Sequence, residues 1–171
     1  MSKYVAFLRG INVGGRIVRM SDLKTCFEAA GLRNVSTVLQ TGNVVFESSI
    51  RPDSLKKLIE KKLTNQFHYS AKVQVILADD LAEIVRKYPF NEADNNFQHY
   101  VIFLENNLSD SLVPEMELDT SVEEVKAGKE VVYWKVFKGM TLKSPFAKLL
   151  VKTKYKEFNT TRSINTLKKL I

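Results

Sequence analysis

From Arg9 to Arg19 the chain reads RGINVGGRIVR, with three arginines, one asparagine, three glycines and no acidic residue. Arginine grips a carboxylate or phosphate through two parallel hydrogen bonds. Gly10, Gly14 and Gly15 permit backbone angles and close approaches that side chains block, so successive amides can converge on an anion. Arg9, Arg16 and Arg19 supply charge beside those amides, and Asn12 can orient a ligand or hold the turn together. The spacing is neither GxxxxGK[ST] nor GxGxxG, which leaves the P-loop and dinucleotide readings with little support. The chemistry on offer is anion binding. Glycines also serve plain turns, and arginines after a strand often reach only solvent.

Other chemistries find fewer residues. His68 and His99 are the only histidines, and Cys26 is the only cysteine. One cysteine allows neither an internal disulfide nor a cysteine cluster for zinc. Cys26 fits the buried face of a helix better than a nucleophile's position. Asp79-Asp80 can bind a metal, yet helix capping explains them more cheaply, and Glu92 and Asp94 read as a polar loop. No general base accompanies the arginines, so neither hydrolysis nor phosphoryl transfer is assigned, and no cofactor is implied. A nucleic-acid-binding module is the first alternative, with Tyr4, Phe7 and Phe46 as stacking candidates. NVVFE, however, lacks the basic-glycine-aromatic pattern of single-strand readers. A protein-interaction role is the second, through an apolar hairpin face at Val132, Trp134 and Val136.

The opening run needs a frame. Tyr4–Leu8 is an apolar strand that delivers the chain into it, and twelve residues separate Leu8 from Ser21. Irregular connections of that length are enriched in binding loops. Ser21 reads as the N-cap of a helix with Leu23, Cys26, Phe27 and Ala30 on one face, closed by Gly31. Strands over Val35–Gln40 and Val44–Glu47 flank a Thr41-Gly42-Asn43 turn. A helix from Pro52–Asp53 with an inward stripe of Leu55, Leu58, Ile59, Leu63 and Phe67 precedes a strand at Lys72–Leu77. The order β-α-β-β-α-β predicts a ferredoxin-like lobe over 1–78.

A second lobe is predicted over 79–171. Asp79 or Asp80 caps a helix stopped by Pro89, and Tyr100–Leu104 is a strand. Ser109 caps a short helix reaching Glu117. Ser121–Lys126 and Glu130–Phe137 form a hairpin, Ser144-Pro145 starts a helix, and Ser163–Ile171 forms the last one. The fold class is therefore α+β in two lobes, the second a related α/β arrangement.

Twenty-six basic and nineteen acidic residues give a net charge of +7, unevenly spread. Residues 1–50 carry +3, residues 51–137 carry −4 and residues 138–171 carry +8. The basic ends suit phosphate or carboxylate, while Lys152, Lys154 and Lys156 read as a solvated tail. The apolar segments are too short to span a bilayer as helices, and MSKYVAFLRG lacks a secretory pattern. A cytoplasmic protein without a membrane partner is expected.

LRGINVGG, MSDL at Met20–Leu23 and VLQTGNVVF at Val38–Phe46 resemble an uncharacterised, mainly bacterial domain-of-unknown-function family with an N-terminal LRGINVGG signature. Pro89-Phe90 and the TTR…NTLKKL segment from Thr160 to Leu170 continue the likeness. The family pattern near the C-terminus runs threonine-arginine-asparagine-tryptophan-asparagine-threonine. This chain keeps Thr161, Arg162, Asn165 and Thr166 but has Ser163 and Ile164 between them. The resemblance implies a two-lobed α+β protein and carries no activity. The expected ligand set is Arg9, Gly10, Asn12, Gly14, Gly15, Arg16 and Arg19 of the loop, Gly42 and Asn43 of the turn, and the four C-terminal residues just named. The expected ligand is a small anion, phosphate-bearing molecules included.

Overall fold

β1 (Ser2–Arg9) is an inner strand because five consecutive residues, Tyr4 to Leu8, are buried and nothing polar interrupts them. A strand apolar on both faces must be covered on both faces. In the computed structural model, which describes residues 1–105, 108–113 and 118–171, β1 lies between β3 (Asn43–Ser48) and β4 (Lys72–Leu77). With β2 (Arg33–Val38) at the edge, the order is β2-β3-β1-β4 and every neighbour is antiparallel. Tyr4, Ala6 and Leu8 share one face and meet the inward stripes of α1 (Met20–Ala29) and α2 (Pro52–Phe67). Tyr4 stacks on Phe46, and Phe27 meets Phe46 edge-on at 5.6 Å between centroids. The predicted order of elements over 1–78 is present.

The second sheet repeats the scheme. β5 (Phe97–Leu104) is inner, between β7 (Val131–Phe137) and β8 (Asn159–Ser163), with β6 (Glu123–Ala127) at the edge beyond β7. The order β6-β7-β5-β8 is that of the first sheet strand for strand, again antiparallel throughout. Trp134 is the centre of its core, with Ile102, Val132, Val136, Phe146 and Leu150 around it. α5 (Pro145–Leu150) starts as predicted: Ser144 is extended, its hydroxyl accepts from the Ala147 amide, and Pro145 occupies the first helical position.

Glu123 is a carboxylate only 1% exposed within this core. It accepts from Trp134 Nε1 (3.0 Å), the Ser144 hydroxyl (2.6 Å) and the Phe146 amide (3.0 Å). Three donors, two of them at the start of α5, replace the water it loses.

Several boundaries differ from those expected. α1 begins at Met20 with the extended Arg19 at its N-cap, and no side chain caps it. Burial of Val18 and its amide bond to Asn12 turn the chain into the helix before Ser21, whose carbonyl accepts from the Thr25 hydroxyl instead. α3 (Ala78–Arg86) places Asp79 and Asp80 inside its first turn, where their charge complements the helix dipole rather than capping it. Leu108, not Ser109, precedes α4 (Ser109–Leu112), and the expected end at Glu117 lies outside the described residues. β8 occupies a stretch to which the sequence assigns no element, after the short α6 (Thr153–Lys156), and the last helix, α7, covers only Ile164–Lys168 rather than Ser163–Ile171.

The chain divides into two compact units, Met1–Ala82 with Lys169–Ile171, and Glu83–Lys168. The division falls inside α3, and the last three residues group with the first unit. Among the described residues no helix is long and apolar enough to cross a membrane.

Candidate functional site

The opening loop is pinned at both ends by apolar side chains, Ile11 and Val18, that sink into the first core. Between these anchors Asn12 closes the loop. Its Oδ1 accepts from the Val18 amide at 2.8 Å, and its Nδ2 donates to the Gln40 carbonyl at 3.4 Å. The second bond reaches the β2–β3 turn, and the Leu8 amide reaches it again by donating to the Gly42 carbonyl at 2.8 Å. LRGINVGG and TGN, far apart in sequence, form one assembly.

Gly42 shows why the turn residue is glycine. Its φ is +73°, and a Cβ there would lie 3.0 Å from Leu8 Cβ and 3.2 Å from Ile11 Cγ2. Either feature alone disfavours a side chain, and together they seat the turn against the loop. Asn43 is fully buried, with Nδ2 donating to the Val38 carbonyl (3.1 Å) and the Thr41 hydroxyl (2.8 Å). Asn12, Gly42 and Asn43 are thus occupied in building the assembly.

What faces outward is Gly14, Gly15, Arg16 and Arg19. Gly14 and Gly15 are exposed, with φ of +68° and +80°, the signs of a type I′ turn. Among the described residues no protein carbonyl accepts from either amide. Arg16 is positioned: its guanidinium lies 4.5 Å from the centroid of the Tyr69 ring, and Nη1 donates to the Gly10 carbonyl at 3.3 Å. The ring's negative face holds the cation without neutralising it. Burial pushes the Tyr69 hydroxyl up to about 12, against the pull of the Arg16 charge, so the phenol stays neutral beneath the guanidinium. Tyr69 was not legible as a site residue, since HYS follows a helix with no motif around it. Arg9 is half-buried at the end of β1, opposite Lys72 on β4, and Arg19 is exposed.

The C-terminal candidates belong to the second unit. Thr161 and Arg162 lie on β8 opposite Ile102 and Val101. Arg162 Nη1 donates to the Thr161 carbonyl at 3.0 Å, and burial pulls its guanidinium down to about 10, still charged at neutral pH. Ser163 caps α7 by accepting from the Thr166 amide, and its hydroxyl also meets the Thr166 hydroxyl at 2.9 Å. Ile164 is buried and Asn165 is exposed. The two departures from the family pattern are therefore a cap and a core residue.

Tyr4, Phe7 and Phe46 are all buried, so they present no stacking platform. Val132, Trp134 and Val136 are likewise core, which removes the hairpin face as an association surface. Burial raises the Cys26 thiol, Lys62 opposing, so it stays protonated and a poor nucleophile. Among the described residues no group of three acidic, histidine or cysteine side chains can hold a metal.

The doubled four-stranded scheme and the loop–turn assembly define a two-unit α+β protein opening on a glycine–arginine loop. The chain belongs to the family described as "Protein of unknown function (DUF1697)", whose profile matches residues 1–133. The match stops before the Thr160–Leu170 segment. In fold the chain is similar to a conserved bacterial protein, SP0830, from Streptococcus pneumoniae, with a TM-score of 0.82 and 23% identity over 99% of this chain and 96% of that one. No curated protein matches.

Proposed function

We propose that the opening loop binds a small anion, such as a phosphate-bearing metabolite, between the Gly14–Gly15 amides and the side chains of Arg16 and Arg19. The observation that carries the reading is the fixed position of Arg16. A cation held over a ring and tied to Gly10, beside outward amides, has lost much of the freedom that ligand binding otherwise costs. We read the family context and the ferredoxin-like order of the first sheet as those of a bacterial cytoplasmic protein.

Calorimetric titration of the full chain with phosphate, pyrophosphate and a nucleoside diphosphate tests it. A charge-assisted pair contributes about 1.5–3 kcal/mol, so Arg16→Ala should weaken binding by roughly 10- to 150-fold. Binding that Arg16→Ala leaves unchanged refutes the site, and a preference for single-stranded RNA over all three ligands favours the nucleic-acid reading.

A further inference from the structure

The second unit carries a surface that the anion site does not use. From residue 131 to 156 the chain has seven lysines and no acidic residue. Most of this segment's apolar side chains are buried, but Leu142 and Val151 are 87% and 64% exposed and Phe137 is 44% exposed. Leu142 and Val151 flank α5 at opposite ends, Leu142 just before Ser144 and Val151 at the C-cap. Phe146, Ala147 and Leu150 turn inward, and Pro145, Lys148, Val151 and Lys152 are all exposed. Lys148 is the one lysine within α5 and Lys152 follows its C-cap, so the exposed side of the helix carries one lysine along its length and another just past its end. Lys138 and Lys143 are also exposed, and among the described residues none of Lys138, Lys143, Lys148 and Lys152 pairs with a carboxylate.

We propose that this face, Leu142, Val151 and the lysines at 138, 143, 148 and 152, docks on an anionic lipid bilayer as a peripheral contact. Lysines attract the negative headgroup region while aliphatic side chains enter the boundary beneath it. A nucleic acid would use the same charge, but it is held by aromatic stacking and by arginine; this face has no arginine, and its one exposed aromatic, Phe137, is engaged edge-on by Phe97. Leu142 and Val151 gain nothing from phosphates alone. The contact belongs to the second unit and the opening loop to the first, and a contact of this kind touches a membrane without spanning it.

The test is sedimentation of the full chain with phosphatidylcholine vesicles, pure or containing about one-third phosphatidylserine. The chain should sediment with the anionic vesicles only. Each lysine near the surface is worth about fivefold, so Lys143→Gln with Lys148→Gln should weaken binding about 25-fold. Leu142→Ser with Val151→Ser should weaken it at least about tenfold by removing inserted aliphatic surface, while leaving retention on single-stranded RNA unchanged. Both side chains are exposed, so thermal melts of the double variant should match the parent. Failure to sediment with anionic vesicles overturns the proposal. So does binding that survives Leu142→Ser/Val151→Ser intact, which would assign the lysines to polyanions in general.

Discussion

Replacing Gly42 by alanine tests whether the β2–β3 turn holds the opening loop in place. Two costs arise. A non-glycine residue in the left-handed region loses about 1–2 kcal/mol. The new methyl group would also lie 3.0 Å from Leu8 Cβ and 3.2 Å from Ile11 Cγ2. Both neighbours are buried and cannot swing away, so the overpacking adds about 1–3 kcal/mol. Gly14→Ala is the control, because its φ is also positive, at +68°, yet a Cβ there meets nothing within 4 Å. Gly14→Ala should therefore cost about 1–2 kcal/mol and Gly42→Ala about 2–5 kcal/mol. The difference isolates the contact between turn and loop. Native-state hydrogen exchange reads it directly at the Leu8 amide, which donates to the Gly42 carbonyl. Equal destabilisation by the two variants would refute the packing argument and leave only the backbone term.

Glu123→Ala should strip three buried donors of their acceptor and cost about 3–5 kcal/mol, read in denaturant by the fluorescence of Trp134, the only tryptophan. Glu123→Gln keeps one acceptor oxygen but turns an amide N–H toward a donor, so it should cost about 1–3 kcal/mol; a loss under about 0.5 kcal/mol, within ordinary surface variation, would contradict the bonding described. His99, whose Nδ1 meets the Tyr88 hydroxyl at 3.0 Å, is held below its usual 6.5 chiefly by burial, with Glu92 opposing. A depressed folded value means that its stabilising contribution is present above pH 6.5 and is lost as pH falls through the folded value. The second unit's melting temperature should thus drop on acidification, and His99→Gln should flatten that dependence; an identical slope in the variant would show that other groups set it.

The first unit was largely legible because its elements announce themselves by period and punctuation. Leu55, Ile59 and Leu63 mark α2, Gly31 ends α1, and an uninterrupted apolar run marks β1 as an inner strand. β8 was not legible, since Asn159-Thr-Thr-Arg-Ser163 has no apolar alternation and is a strand only because it pairs along β5. The helix starts misread at Ser21, Asp79 and Ser109 have one cause. A capping residue type fits several neighbouring positions, and tertiary anchors such as Val18 decide among them. In the site, the outward glycines and Arg16 could be suspected from composition. That Asn12 and Gly42 would tie loop to turn needed the register of β1 against β3, and Tyr69 beneath Arg16 needed three dimensions.

Titration of the isotopically labelled full chain with inorganic phosphate, followed residue by residue in amide NMR spectra, tests the anion site most directly. Saturable shifts centred on the Gly14 and Gly15 amides and the Arg16 side chain are expected, with the two amide shifts in Arg16→Ala moved to roughly 10- to 150-fold higher phosphate. Shifts confined to the C-terminal lysines, or none at the two glycines, would contradict that site.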